Sequence, residues 1–395
     1  MKIDTAGTYT LRYSAEDDCG NVGTHDRTLT VVAPRTVLYT DGTFIINEQP
    51  GDRATNEALH GVATNEYAPF DPNGATDIEK YIFVSSSARP WYAQRASILT
   101  AEIGDNISPT NTAYWFDDLP NVTQINVDKL DTKYVEDMRD MFHNCRNLIS
   151  VDVSGFDTQN VTNMSCMFWT CPVLASIDVS DFDTSNVTDM SYMFSGCGAI
   201  TTIDVSNFNT SNVTNMNAMF ADLTMMQSLD LSNFDTSKVT NMDSMFLNGG
   251  MTSIILGVFN ATKVTTMNRM FEGCRSLNSI SFTSFTASDV TNMSYMFKNC
   301  RKITEIDVSG FATNNATETR EMFNYCKMLT KIYVSVNFVV SSVTVSSSMF
   351  GNLDVGVLKG GAGTGWSSGN PTDKTYARID NPPDAPGYFT LKPTT

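Results

Sequence analysis

Apolar and polar positions along residues 121–352 recur with a period of about 26 residues. Each period opens on a short alternating run, such as Ile177-Asp178-Val179-Ser180 or Ile203-Asp204-Val205-Ser206. Alternation of this kind marks a half-buried strand. Turn-forming residues follow, as in Asp183-Thr184-Ser185-Asn186, whose side chains bond nearby backbone. The period then runs Val187-Thr188-Asp189-Met190-Ser191-Tyr192-Met193-Phe194. Val187, Met190, Met193 and Phe194 stand at i, i+3, i+6 and i+7, which predicts one short helical turn. A turn that short is unstable alone, so packing must hold it.

The dipeptide Met-Phe fixes the period. It begins at Met141, Met167, Met193, Met219, Met245, Met270, Met296, Met322 and Met349, with spacings of 26, 26, 26, 26, 25, 26, 26 and 27. Nine turns at one spacing predict one stacked unit, because a single turn cannot bury its own apolar face. Paired parallel strands about 4.8 Å apart would make a ladder roughly 40 Å long. Equivalent residues such as Ile177, Ile203 and Ile306 should all point inward. Sixteen of the 21 methionines fall in the two Met positions of the turns. They read as core filler, since thioethers pack irregular interiors well. Met167, Phe168, Met193 and Phe194 exemplify this ladder. Cys145, Cys171, Cys197, Cys274, Cys300 and Cys326 each follow a Met of the pair by four residues, with Leu223 and Gly249 in the two turns between. A position shared by Cys, Leu and Gly predicts buried free thiols. Disulfides between stacked side chains would be strained. Cys19 and Cys166 stand outside that series.

The consensus read from residues 177–197, Ile-Asp-Val-Ser-x-Phe-Asp-Thr-Ser-Asn-Val-Thr-x-Met-Ser-Tyr-Met-Phe-x-x-Cys, resembles the BspA-type leucine-rich-repeat surface proteins and their mycoplasma lipoprotein variant. The resemblance covers roughly residues 38–395. Ala88 to Tyr92 through Tyr114-Trp115-Phe116 is similar to the cap preceding such repeats. Tyr376 to Asp380 with Pro386 to Thr390 is similar to the closing strand. The resemblance implies a leucine-rich-repeat-like solenoid with a parallel β-ladder and short helical or 3-10 turns. It implies surface adhesion to host or neighbouring-cell components, and it supplies no ligand residues. Residues 1–35 differ. Tyr9, Leu11, Tyr13 and Ala15 alternate, Asp17 to Asn21 supply a turn, and Leu29 and Val31 alternate again. This hairpin resembles the last two strands of a bacterial Ig-like domain, which needs about seven, so the domain would be incomplete. The expected organisation is 1–35 hairpin, 36–120 N-terminal cap, 121–352 nine-turn solenoid and 353–395 C-terminal cap.

Composition narrows the function. A net charge of −17 opposes binding to nucleic acid and to anionic membranes. No apolar run is long enough to span a bilayer, and neither a signal peptide nor an anchor signal is expected. Catalysis finds no support. His25, His60 and His143 lie in separate segments, away from metal-ligand spacing. Gly365-Trp366-Ser367-Ser368-Gly369 matches a nucleophile-elbow pattern, but no strand is expected before it and no helix after it. No cofactor is expected. Asn-x-Thr triplets such as Asn186-Val187-Thr188 follow from the repeat. Asp152, Asp178, Asp204 and Asp230 share one repeat position. They read as a solvated row on an open strand face, with calcium bridging as the sharper alternative for oxygen-rich sites. The expected function is adhesion or recognition by a bacterial surface protein, with a cell-surface protein or glycan as partner. The alternative is a phage virion fibre or decoration protein that binds a host surface. A carbohydrate-active enzyme ranks third. The expected contact surface is the strand face around Asp178, Asp204 and Asp230. Trp169 is added as an aromatic contact, and the two residues after each Met-Phe pair as the variable, outward positions.

Overall fold

The computed structural model describes residues 7–16, 22–31, 35–48, 53–60, 63–67, 92–104, 106–257, 259–281 and 287–393. Cys19, Pro34 and the segment from Ala88 to Trp91 lie outside them. Strands β1 (Gly7–Glu16) and β2 (Val22–Val31) form an antiparallel hairpin in unbroken register.

Strands β3 (Arg35–Tyr39), β4 (Thr43–Glu48) and β5 (Ala63–Tyr67) precede the repeats, with one α-helix, α1 (Arg53–His60), between β4 and β5. Strands β6 (Thr100–Ile103), β7 (Gln124–Asn126) and β8 (Ser150–Val151) then extend the same sheet in the order β5-β3-β4-β6-β7-β8. The pairing is antiparallel around β3 and parallel from β4 onward. The entry sheet therefore runs directly into the first coils. Two short 3-10 helices, Tyr92–Ser97 and Lys374–Tyr376, complete the helical content of the described residues.

The expected helical turn is absent from the described Met-Phe segments. In its place each coil makes successive tight turns, such as Met193 N–H to Met190 O and Cys197 N–H to Phe194 O. The residue before Met and the second residue after Phe adopt left-handed backbone, as at Tyr192 (φ 58°) and Gly196 (φ 77°). Two left-handed residues per coil recur from Tyr114 and Asp118 to Ser348 and Asn352. A helix would have satisfied the backbone within the coil. Here every second N–H leaves it instead: those of Met190, Tyr192, Phe194 and Gly196 donate to the carbonyls of Asn215, Asn217, Met219 and Ala221 in the next coil. Non-local bonds replace local ones, and the stack is locked turn by turn. The bridge residues from Asn111 to Val345 pair in parallel without a break across ten coils.

The ladder begins one coil before Met141. Thr112, Tyr114, Phe116 and Asp118 donate backbone bonds to Asp137, Arg139, Met141 and His143, so Trp115 and Phe116 occupy a Met-Phe position within a segment assigned above to the cap. The ten phenylalanines from Phe116 to Phe350 stack with ring centroids 5.1–6.1 Å apart and planes within 3–14° of parallel. Tyr388 closes the column edge-on against Phe350 at 5.1 Å. Met167, Phe168, Met193, Phe194, Cys171 and Cys197 are fully buried, as are the paired methionines of other coils, in one continuous core. Ile177 and Ile306 are buried, and Ile203 is half-buried against the same core. Each ladder thiol donates to the carbonyl of the phenylalanine one coil back, at 3.0–3.1 Å. No disulfide joins the cysteines among the described residues.

The strand face is less continuous than the period suggests. After β8 no strand forms at Ile177 or Ile203. Strands β9 (Ser228–Asp230) and β10 (Ser253–Ile255) pair with each other alone. Strands β11 (Ile280–Ser281), β12 (Glu305–Asp307), β13 (Lys331–Val334) and β14 (Phe389–Leu391) make the last parallel sheet. Ile379 bridges Phe389 on the outer side of β14, covering part of an edge that would otherwise invite another strand.

Candidate functional site

Asp152, Asp178, Asp204 and Asp230 stand exposed on four consecutive coils. Asp178 Oδ1 accepts from the Ser180 N–H at 3.1 Å and the Ser180 hydroxyl at 2.7 Å. Asp152 is held by Ser154 in the same way, and Asp204 and Asp230 accept from the N–H of Ser206 and Ser232 at 2.9 Å. Each aspartate thus closes its own turn through the residue two further on. The Ser154 and Ser180 hydroxyl and backbone donors hold the carboxyls of Asp152 and Asp178 below the usual range, and the Ser206 backbone and hydroxyl donors do so for Asp204. Mutual repulsion along the row is too weak to reverse this.

That geometry argues against calcium bridging. One oxygen of each carboxylate is committed to its turn, the coils at Asp178 and Asp204 lack strand pairing, and no group of three acidic or metal-ligating side chains able to hold a metal occurs among the described residues. Further along the stack the same position carries exposed Ile255, then Ser281, then Asp307. Asp307 is partly buried, which raises its carboxyl, but Ser309 and Lys392 outweigh this and lower it. Lys392 pairs with Asp307 at 2.9 Å and lies over the Tyr333 ring at 4.8 Å. The strand face is therefore acidic and open over four coils and self-neutralised at its C-terminal end.

Trp169 belongs to the Met-Phe corner, not to the strand face. Its ring is half-buried, stacked on His143 at 4.6 Å and tilted against Tyr192 at 5.0 Å. Both flanks are occupied by neighbouring coils, so the ring has no free flat face to offer a ligand. The residues after Met-Phe are likewise less free than their variety suggests. Ser195 and Ala221 are buried, and the second of each pair must accept left-handed backbone. Asn, Asp or Gly fills that position at Asn144, Gly196, Asp222, Asn248, Gly273, Asn299 and Asn352, the residue types that tolerate it best, while Thr170 and Tyr325 hold the same left-handed backbone without that advantage.

The same corner assembles a cluster that residue spacing alone did not show. His143 Nδ1 lies 2.7 Å from Asp117 Oδ1 and 3.6 Å from Asp140 Oδ1. Burial raises the Asp140 carboxyl to about 6; His143 opposes this, Asp117 adds to it, and the Cys166 thiol bonds to it. Burial and the adjacent Asp140 raise Cys166 in turn, so this thiol is held protonated and is no nucleophile. The signal available in the sequence was the 26-residue spacing of Asp117, His143 and Trp169. Because the folded carboxyl binds its proton more tightly than the unfolded one, its contribution is present below about pH 3.8 and is lost as pH rises through about 6. Asp140→Asn should therefore raise stability at pH 7 by about 1–2 kcal/mol, after discounting for partial solvent access, with asparagine accepting the left-handed backbone. Urea melts at pH 4 and pH 7 check this: the wild type should lose more stability between them than the variant.

Gly365–Gly369 has neither a strand before it nor a helix after it, so it lacks the strand-turn-helix frame of a nucleophile elbow. No helix among the described residues is long and apolar enough to cross a membrane.

These features define a repeat protein of stacked, parallel-paired coils with an exposed polar surface. The family profile described as "Mycoplasma protein of unknown function, DUF285" matches residues 110–201, 174–253 and 250–356, more than half of the chain. The chain belongs to that family, the BspA-like repeat proteins that its consensus resembles. Among solved structures, it is similar to a leucine-rich repeat protein from Eubacterium ventriosum, at 15% identity over 82% of this chain and 94% of that one, with a TM-score of 0.31. No curated protein matches.

Proposed function

We propose that this chain is a non-enzymatic adhesion or recognition module of a cell-surface protein, built as a leucine-rich-repeat-type solenoid, with the acidic strand face as its contact surface. The observation that carries the reading is the row of exposed carboxylates on four consecutive coils, each held by its own turn, set over a continuous buried core. Such a face offers many evenly spaced polar contacts, the geometry that suits an extended partner. Membership of a surface-protein repeat family supports it. The partner is a protein or glycan on another cell. The hairpin β1–β2 fits the end of an Ig-like spacer domain in the same surface setting.

The test replaces Asp178, Asp204 and Asp230 together by asparagine. Asparagine retains the oxygen that closes each turn, so the fold should persist and only charge is lost. Adhesion of the labelled protein to intact target cells should fall by at least tenfold, with or without added calcium. Unchanged adhesion would remove the strand face as the contact surface.

A further inference from the structure

A second surface lies at the opposite charge extreme. The chain carries a net −17, yet Arg275, Arg301 and Lys302 stand exposed at one corner of two adjacent coils. Backbone bonds from Gly273 to Lys298 and from Asn299 to Asn324, each 2.8 Å, place residues 273 and 299 in register. Arg275 and Arg301 follow these by two residues and so sit one coil apart, about 5 Å along the stack. Arg301 Nε donates to Asn299 Oδ1 at 2.7 Å, which orients its guanidinium. Neighbouring cations are already paired, Lys327 with Asp354 at 2.9 Å and Lys298 with Glu321 at 2.9 Å. Among the described residues, Arg275, Arg301 and Lys302 form no ion pair. The corresponding corner of the earlier coils holds Arg146, bonded to Asn144 Oδ1 at 2.7 Å, and then uncharged Pro172, Gly198, Thr224 and Gly250, so only here do cations stand on adjacent coils.

Arg275 also lines a cleft of about 470 Å³ with Thr224, Asn248, Gly249, Gly250 and Ser276. The cleft exists because this coil departs from the repeat. Only 25 residues separate Phe246 from Phe271, and glycines replace the usual side chains at this corner. The Met251 thioether reaches over Gly249, where a Cβ would meet its Cε at 2.7 Å, so the core stays filled without the ladder cysteine. At Gly250 a Cβ would lie 2.1 Å from the Thr224 carbonyl oxygen, so no side chain can stand there. The dent is therefore built into the backbone. Its lining offers two hydroxyls and the Asn248 amide, which donates to Asp222 at 2.9 Å.

From this juxtaposition we infer that the cleft at Gly249-Gly250 and the adjoining row of Arg275, Arg301 and Lys302 bind an anionic glycan, a sugar chain bearing carboxylate or sulfate groups. Guanidinium forks match planar carboxylate and sulfate oxygens, and the cleft hydroxyls and amide match sugar hydroxyls. Asp222 in the lining adds a carboxylate acceptor for a sugar hydroxyl. The site uses none of the strand-face aspartates.

The experiment measures retention of the full chain on immobilised heparin and polygalacturonate, with neutral dextran as control. Wild type should bind one of the anionic polymers at least tenfold more tightly than dextran at about 50 mM salt, and lose binding toward about 500 mM as screening shortens the reach of the charges. The variant Arg275→Glu, Arg301→Glu, Lys302→Glu should lose at least tenfold while melting at the wild-type temperature, since all three side chains are exposed. The asparagine triple at Asp178, Asp204 and Asp230 should retain full glycan binding, which separates this site from the strand face. Absence of wild-type binding to both polymers, equal binding by the charge-reversed protein, or binding to anionic phosphatidylserine vesicles but to neither glycan would each overturn the inference.

Discussion

Aspartate in place of Met219 should cost the protein about 4 kcal/mol or more, among the largest effects a single substitution produces. Met219 is fully inaccessible and lies in mid-stack within the continuous core. Its backbone carbonyl accepts from Phe194 one coil back at 3.1 Å, and the Phe194 and Phe220 rings stack across the same level at 6.0 Å. A carboxylate there has neither water nor a counter-charge, and it would be driven to protonate before it could stay buried. In a stack each coil is supported by its neighbours, so damage at one level weakens the next on both sides. Met219→Leu is the control, because a near-isosteric apolar swap should cost less than about 1.5 kcal/mol. Urea unfolding followed by circular dichroism distinguishes the two. A midpoint unmoved by the aspartate would show that the methionine ladder is not buried.

That methionine was readable as core from its spacing, as was most of the inward ladder, because a strict period makes every inward residue identifiable by position. The backbone path at the same residues was not. The spacing of Val187, Met190, Met193 and Phe194 suits a helix, yet Tyr192 is left-handed and the N–H groups leave the coil. Helical periodicity records which side chains face inward. It does not record whether backbone bonds close within the segment or on the next coil. Trp115 shows a second limit. It fills a methionine slot without being methionine, so a search on Met-Phe starts the stack one coil late.

The strand-face aspartates are visible in the sequence as a row, and their hydrogen-bond role is written there too. The signal was present in the recurrent Asp-Val-Ser of Asp152 to Ser154, Asp178 to Ser180 and Asp204 to Ser206, since Asp followed by a donor two residues on favours a side-chain-closed turn. Seen that way, the carboxylates are ionised and partly committed. They suit direct contacts with a partner rather than a shared metal ion. The basic corner is not legible in the sequence, because Arg275 and Arg301 are ordinary surface residues in one dimension. Only the register of the coils, and the shortened coil at Gly249-Gly250, bring them beside a cleft.

Thr184→Val should cost about 2–4 kcal/mol, a large penalty for a substitution that barely alters shape. Thr184 occurs in a polar stretch that reads as a solvent-facing turn, yet it is completely buried. Its hydroxyl donates to the Asn209 carbonyl at 3.0 Å and accepts from the Asn209 N–H at 2.8 Å. One hydroxyl thus satisfies both backbone groups of a residue in the next coil. The same position repeats as Thr158, Thr210 and Thr236, whose hydroxyls donate to the carbonyls of Asp183, Asp235 and Asn260 at 2.9–3.0 Å. Valine fills the space but leaves the N–H and the C=O without a partner where water has little access, and each such group costs about 1–3 kcal/mol. Thr184→Ser keeps the hydroxyl and removes one methyl, so it should cost only about 1 kcal/mol. The order valine worse than serine is the diagnostic result, because a purely apolar contact would reverse it. Paired urea melts of the two variants decide the question, with amide hydrogen exchange at Asn209 as the local readout. Its N–H should exchange faster in the valine protein and at nearly the wild-type rate in the serine protein.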